Sequence, residues 1–228
     1  MKIAAVIVAG GRGHRLGRSQ PKQFAQLGSR PLIDYSIEKF ASINLDFIIA
    51  VLVEDYQKYY QPHPAITHIA RGGKTRLQSV YNGLKACPKE TRVVLIHDAA
   101  RPFFPAGRLK EALDNMGKMD VDGLAPALVS TDTLVEVDNG QIISFPDRHR
   151  IYHTQTPQIF IYEKIMSAYE KFRENLNDQP FTDDLSLAHS AGLRCGLIEG
   201  SQMNFKITTE SDWVLAEQLL KSGGLDFT

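Results

Sequence analysis

Six apolar residues, Ile3-Ala4-Ala5-Val6-Ile7-Val8, run without a polar break into Ala9-Gly10-Gly11-Arg12-Gly13-His14-Arg15. A strand with no polar position has no face to turn to water, so it belongs in a sheet covered on both sides. Short β-rich runs return at Phe47 to Val53 and at Val93 to Ile96. Between them, Leu32, Ile33, Ser36, Ile37 and Phe40 form one stripe of helical period, and Leu77, Val80, Tyr81 and Leu84 form another. The alternation predicts an α/β fold, a mostly parallel twisted sheet with helices on both faces. A last helix is expected after Thr209-Glu210-Ser211-Asp212, a capping-box pattern, with Trp213, Ala216 and Leu220 facing inward. The 228 residues, 43% of them hydrophobic, suffice for one such domain, which would bury about 70% of its unfolded surface.

The remaining composition excludes whole classes of function. Cys87 and Cys195 stand far apart without metal-ligand spacing, so both are expected in the core of a protein of the reducing cytoplasm. The first apolar run is too short to span a membrane, and loop glycines follow it in place of a cleavage site. With 26 basic and 26 acidic residues the net charge is zero, which removes the electrostatic case for nucleic-acid or anionic-membrane binding. A polyanionic ligand has to meet a local basic cluster.

Such a cluster follows the first strand. Glycines at the C-terminal edge of a sheet let a phosphate approach consecutive backbone N–H groups. The Gly-x-x-x-x-Gly-Lys-[Ser/Thr] loop of nucleoside triphosphatases is absent. The dinucleotide fingerprint fails too, because Leu16 occupies its third glycine position and Glu54-Asp55 comes too late to hold a ribose. A triphosphate site fits better: Arg12, Arg15, Arg18 and Lys22 bring four cations to one loop, the alternative being a solvated basic loop.

A second apolar strand, Val93-Val94-Leu95-Ile96, leads into His97-Asp98-Ala99-Ala100-Arg101-Pro102. Asp98 is a hard oxygen ligand suited to Mg²⁺, Ala99 and Ala100 leave room for a substrate, and His97 reads as a packed, hydrogen-bonded histidine. Gly72-Gly73-Lys74-Thr75-Arg76 feeds the helix that carries Ser79 and Asn82, a place for a nucleobase or ribose. Asp147-Arg148, Thr154-Gln155-Thr156-Pro157, Thr182-Asp183-Asp184 and Asn204-Phe205-Lys206 are ambiguous alone; Thr182 reads as a helix cap and Lys206 as part of a short β run.

Leu134-Val135-Glu136-Val137, Asp138-Asn139-Gly140 and Gln141-Ile142-Ile143-Ser144-Phe145 break the βα rhythm with a hairpin announced by Asn-Gly. An isolated hairpin is marginal in water, so it is either a surface decoration or an arm lying on its own domain or another subunit.

Taken together, these blocks resemble the 2-C-methyl-D-erythritol 4-phosphate cytidylyltransferase family nearly end to end. The resemblance rests on Ala9-Gly10-Gly11-x-Gly13-x-Arg15 with Pro21-Lys22-Gln23-Phe24, on His97-Asp98-Ala99-Ala100-Arg101-Pro102, and on Gln155-Thr156-Pro157-Gln158 and Lys206-Ile207-Thr208. It implies a Rossmann-like nucleotidyltransferase fold, one domain over residues 1–228, and a dimerisation β-arm at about 131–153. It implies an enzyme that joins CTP to a sugar-alcohol phosphate and releases pyrophosphate. Arg15 and Lys22 would clamp the α-phosphate, and Asp98 would hold Mg²⁺. Ala9, Gly10, Gly11, Gly13, Gly73, Lys74, Ser79, Ala99 and Arg101 would bind the nucleotide. Thr156, Thr182 and Lys206 would bind the acceptor, with Thr133 and Arg148 reaching across from the second subunit of a homodimer. Lys74 stands where the family often has an acid, and Val135 where lysine is common. The related ribitol 5-phosphate cytidylyltransferases usually replace the second alanine of the His-Asp-Ala-Ala-Arg-Pro run, so Ala100 argues against them. A non-catalytic nucleotide-binding regulator ought to have lost Lys22 or Asp98.

Overall fold

The structure, a computed structural model, describes residues 1–11, 20–176 and 181–223. In chain order the strands are β1 (Lys2–Val8), β2 (Gln26–Leu27), β3 (Arg30–Pro31), β4 (Phe47–Leu52), β5 (His68–Arg71), β6 (Thr91–Asp98), β7 (Gly123–Val129), β8 (Glu136–Asp138), β9 (Gln141–Ser144), β10 (Tyr152–Thr154), β11 (Gln158–Ile161) and β12 (Cys195–Glu199). The helices are α1 (Leu32–Ser42), α2 (Arg76–Lys85), α3 (Ala106–Asn115), α4 (Tyr162–Lys171), α5 (Asp184–Ser190) and α6 (Glu210–Lys221).

Among the described residues, eight strands form the main sheet. β5, β4, β1 and β6 lie side by side and parallel, with Val8 at the end of β1 level with Val51 and Asp98. β11 enters antiparallel between β6 and β7, β10 continues along β7, and β12 adds a parallel strand to β7. The sheet is mostly parallel, as expected, and the C-terminal ends of β1, β4 and β6 share one edge.

Alternation along β1 divides the core. Ala4, Val6 and Val8 point to one face, where Leu77, Val80, Tyr81 and Leu84 of α2 and Ile165, Ala168 and Tyr169 of α4 pack. Ala5 and Ile7 point to the other, against Ile33, Ile37 and Phe40 of α1 and Leu109, Ala112 and Leu113 of α3. A third cluster places Trp213 and Ala216 of α6 against Leu27, Leu32 and Tyr35. The capping box of α6 forms as read, with Thr209 and Asp212 exchanging bonds with each other's backbone, and Leu220 is partly buried.

Three local expectations are corrected. The cap of α5 is Asp183, not Thr182: its carboxylate accepts from Ser186 N at 2.8 Å, while Ser186 Oγ accepts from Asp183 N. Lys206 lies in a loop, not a β run; Ile207 N bonds Ala100 O at 2.9 Å instead of pairing with a strand. Cys195 is half-buried on β12, and only Cys87 is a core residue. Among the described residues the hairpin of β8 and β9 pairs only with itself, turning through Asn139 (φ 48°) and Gly140 (φ 80°), the primed turn that Asn-Gly favours. No helix among the described residues is long and apolar enough to cross a membrane.

Candidate functional site

The cleft lies where β1, β4 and β6 end. Their ladder runs on into the loops: Ala9 N bonds Val51 O, Ala99 N bonds Val8 O and Gly72 N bonds Leu52 O, each near 3 Å. These bonds hold three loops around a cleft of about 420 Å³, lined by Ala9, Gly10, Gly11, Lys22, Gly73, Lys74, Arg76, Ser79, Asp98, Ala99 and Lys206, among others. Among the described lining residues are four cations and one carboxylate, the local basic cluster that a neutral chain needs in order to bind a polyanion.

Each wall has a local cause. Gly73 N donates to Ser79 Oγ at 3.0 Å, and Ser79 Oγ donates to Thr75 O at 2.9 Å, so the glycine turn is pinned to the first turn of α2. A Cβ on Gly73 would fall 2.0 Å from Gln78 Cγ, which leaves glycine as the residue that fits. Lys22 opens a short 3-10 turn that Gln23 ties down by donating to the Ala9 carbonyl. Lys22 is 9% exposed, and its Nζ donates to Ile207 O at 2.5 Å, bringing it beside the Lys206 loop.

Asp98, the last residue of β6, is buried and carries the centre of the site. Arg76 Nε donates to Oδ1 at 2.8 Å, and Lys206 Nζ donates to Oδ2 at 2.6 Å. Burial by itself would raise its pKa, but Arg76 and Lys206 reverse that and hold the carboxyl well below the usual carboxylate range. The two cations thus favour the anionic form of Asp98.

His97 behaves as expected of a core histidine. It is fully buried; Thr156 Oγ1 lies 3.0 Å from Nδ1, and Arg101 O lies 3.2 Å from Nε2. Thr156 Oγ1 also accepts from Asp98 N at 3.1 Å, so its proton goes to Nδ1 and the imidazole carries hydrogen on Nε2. Burial pushes the ring's pKa down to about 3. The Thr156 hydroxyl, expected to meet the acceptor, is thus engaged beneath the cleft, where it supports Asp98.

The remaining predicted residues are more scattered. Gly13 and Arg15, with Arg12 and Arg18, lie outside the described residues. Arg101 donates to Asn204 O at 2.7 Å, and among the described residues it makes no ion pair with Asp98 and is not part of the cleft lining. Thr133, Arg148 and Thr182 are exposed and do not line the cleft. Arg76 and Gln23, which stand in the Gly72–Arg76 and Pro21–Phe24 runs without an expected role of their own, also line the cleft. A usable signal existed for Arg76: a cation in the first turn of a helix opposes the helix dipole and calls for a carboxylate partner.

Comparison with known proteins decides the family. Residues 3–222 match the model of the 2-C-methyl-D-erythritol 4-phosphate cytidylyltransferase family. The chain belongs to that family. It is 36% identical to the Clostridium botulinum protein of that name over 230 residues, covering 96% of this chain and 98% of that one. It is 35% identical to the Caldicellulosiruptor bescii protein of the same name, covering 98% and 99%. The crystal structure of 4-diphosphocytidyl-2C-methyl-D-erythritol synthase from Anaerococcus prevotii superposes with a TM-score of 0.81 at 26% identity, covering 96% of this chain and 98% of that one.

His97 yields a pH prediction. Its folded pKa lies below its ordinary 6.5, so unfolding takes up a proton at acid pH. Its contribution to stability is complete above pH about 6.5 and falls as the pH drops toward the folded value. Urea denaturation is expected to show the unfolding free energy declining from about pH 6.5 to about pH 5, with a flatter profile for His97→Asn. Equal slopes for the two proteins would contradict the buried neutral imidazole.

Proposed function

We propose that the chain catalyses transfer of CMP from CTP to 2-C-methyl-D-erythritol 4-phosphate, giving 4-diphosphocytidyl-2-C-methyl-D-erythritol and pyrophosphate. It is a nucleotidyltransferase of the non-mevalonate route to isoprenoid precursors. The observation that carries the reading is the cleft itself, where Gly10 and Gly11 after β1 line one cavity with Lys22, with Asp98 at the end of β6 and with Lys206.

In this reading an oxygen of the acceptor's phosphate attacks the α-phosphorus of CTP, and the bond to the bridging oxygen breaks, so that pyrophosphate leaves with that electron pair. Such transfers depend on alignment and on neutralising developing charge. Arg15 and Lys22 clamp the α-phosphate. Ala9, Gly10, Gly11, Gly13, Gly73, Lys74, Ser79, Ala99 and Arg101 frame the nucleotide, with Arg101 acting through the loop that it fixes. Lys206 meets the acceptor phosphate, and Thr156 supports Asp98 from below.

Asp98 fits a divalent cation of one kind. Its two oxygens accept one hydrogen bond each from side chains, leaving lone pairs free. No cluster of three or more histidine, cysteine, aspartate or glutamate residues occurs among the described residues, so phosphate oxygens and water would supply the other ligands. That donor set suits Mg²⁺. Bound there, Mg²⁺ would offset charge on the phosphate oxygens.

The arm, expected over about 131–153 but ending where β10 (Tyr152–Thr154) rejoins the main sheet against β7, makes a homodimer in this reading. Ile142, Ile143 and Phe145 are 57%, 58% and 69% exposed, and a two-stranded hairpin cannot bury them itself. Thr133 and Arg148 then serve the partner's acceptor site, together with that subunit's own Thr182. Both thiols being unpaired, the enzyme works in the cytoplasm.

Pyrophosphate release in CTP and Mg²⁺ is expected with methylerythritol 4-phosphate and not with ribitol 5-phosphate or without acceptor; equal release with all three would overturn the reading. Lys22→Ala is expected to fold and lose on the order of 10²-fold or more in turnover, and near-normal release would remove Lys22 from the reaction. Light scattering is expected to return the mass of two chains, and one chain at assay concentration would refute the arm's role.

A further inference from the structure

Arg76 lines the cleft but takes no part in the transfer as set out above. Its guanidinium bridges two carboxylates on different elements: Nε donates to Asp98 Oδ1 and Nη2 donates to Asp184 Oδ2, both at 2.8 Å. Asp184, the first residue of α5, is fully buried, and its second oxygen accepts from the hydroxyl of Tyr169, also fully buried, at 2.5 Å. Charges thus alternate from Asp184 through Arg76 and Asp98 to Lys206, joining the start of α5, the start of α2, the end of β6 and the loop after β12.

A fold selected for stability alone has little use for this arrangement. Burying paired charges costs desolvation that apolar side chains of similar volume avoid. Arg76 Nη1 is moreover buried without a hydrogen-bond partner among the described residues, a further cost. What arginine supplies is a rigid planar fork that meets two carboxylates at fixed angles, which the single ammonium of lysine does not. The two partners of Asp98 also differ in firmness. The Lys206 side chain is 39% exposed, and ion pairs with water around them are weak, whereas Arg76 is anchored on its far side by a fully buried carboxylate.

We propose that Arg76, anchored by Asp184 and Tyr169, is a positioning residue for CMP transfer: by holding Oδ1 it fixes the rotation of the Asp98 carboxylate, so that Oδ2 is the oxygen left to Lys206 in the cleft. The inference rests on the proposed transfer reaction. Asp184 and Tyr169, more remote from the cleft, act through Arg76.

Steady-state pyrophosphate release, CTP binding by calorimetry and thermal unfolding are to be measured for the wild type, Arg76→Lys, Asp184→Asn and Tyr169→Phe. Arg76→Lys keeps the positive charge and loses the fork, so its kcat is expected to fall roughly 10- to 100-fold while CTP affinity stays within about three-fold. Asp184→Asn is expected to lower kcat in the same direction, and Tyr169→Phe by less, at temperatures where circular dichroism shows each variant fully folded. Wild-type kcat in Arg76→Lys would overturn the inference, as would a loss appearing wholly in CTP affinity or vanishing wherever the variants are folded. If Arg76→Lys does not fold, the same readings on Asp184→Asn decide. A wild-type protein that releases no pyrophosphate sinks the transfer reading itself and is told apart by that control.

Discussion

A carboxylate at the end of a strand buried on both faces persists as an anion only with cations against it, and Asp98 is that carboxylate. Burial in such a place disfavours charge strongly, and the site answers with Arg76 on one oxygen and Lys206 on the other. Meeting that demand draws together parts of the chain that local sequence does not relate: the opening of α2, the loop after β12 and, through Thr156, the segment between β10 and β11. His97 beneath it stays neutral, linking Thr156 to the Arg101 carbonyl and, through Nε2, to Ser36 of α1. The polar hole in the sheet edge is therefore shared by many elements, and the cleft it leaves is rich in cations apart from Asp98 itself.

The parts of this account legible in the sequence are those with local causes. β1, β4 and β6 announce themselves as apolar runs, α1 and α2 as stripes, and α6 by its capping box, because each pattern is written within one or two turns of chain. Asp98 was readable since a charged residue ending an apolar strand is conspicuous. Arg76 was legible only as a helix-start cation in want of a carboxylate; which carboxylates it meets was not, because Asp184 lies 108 residues away and no spacing connects them. The role of Gln23, a single bond to the Ala9 carbonyl, likewise follows from no sequence pattern. Thr182 and Asp183 offered two caps one residue apart, and the carboxylate that reaches Ser186 N is the one used. Around Lys206 the alternation of Phe205 and Ile207 imitates a strand, yet the backbone there bonds a loop, and apolar neighbours face the α6 cluster.

The arm shows the opposite balance. Its turn and strands were plain from Asn139-Gly140, but its exposed apolar side chains acquire a purpose only from something outside the chain. Thr133 and Arg148 fit the same logic, since both are exposed and neither lines the subunit's own cleft. In the proposed reading the site would have two layers, a donor half fixed by the sheet edge and an acceptor half that a second subunit completes.

Asp98→Asn tests the central claim most directly. The exchange keeps the side chain's size and removes the charge around which the cleft is arranged. With the carboxylate gone, Arg76, Lys206 and Lys22 still attract the triphosphate, so CTP binding by calorimetry should be retained while pyrophosphate release falls on the order of 10²-fold or more. Release at the wild-type rate would show that the charge on Asp98 is not what the reaction needs.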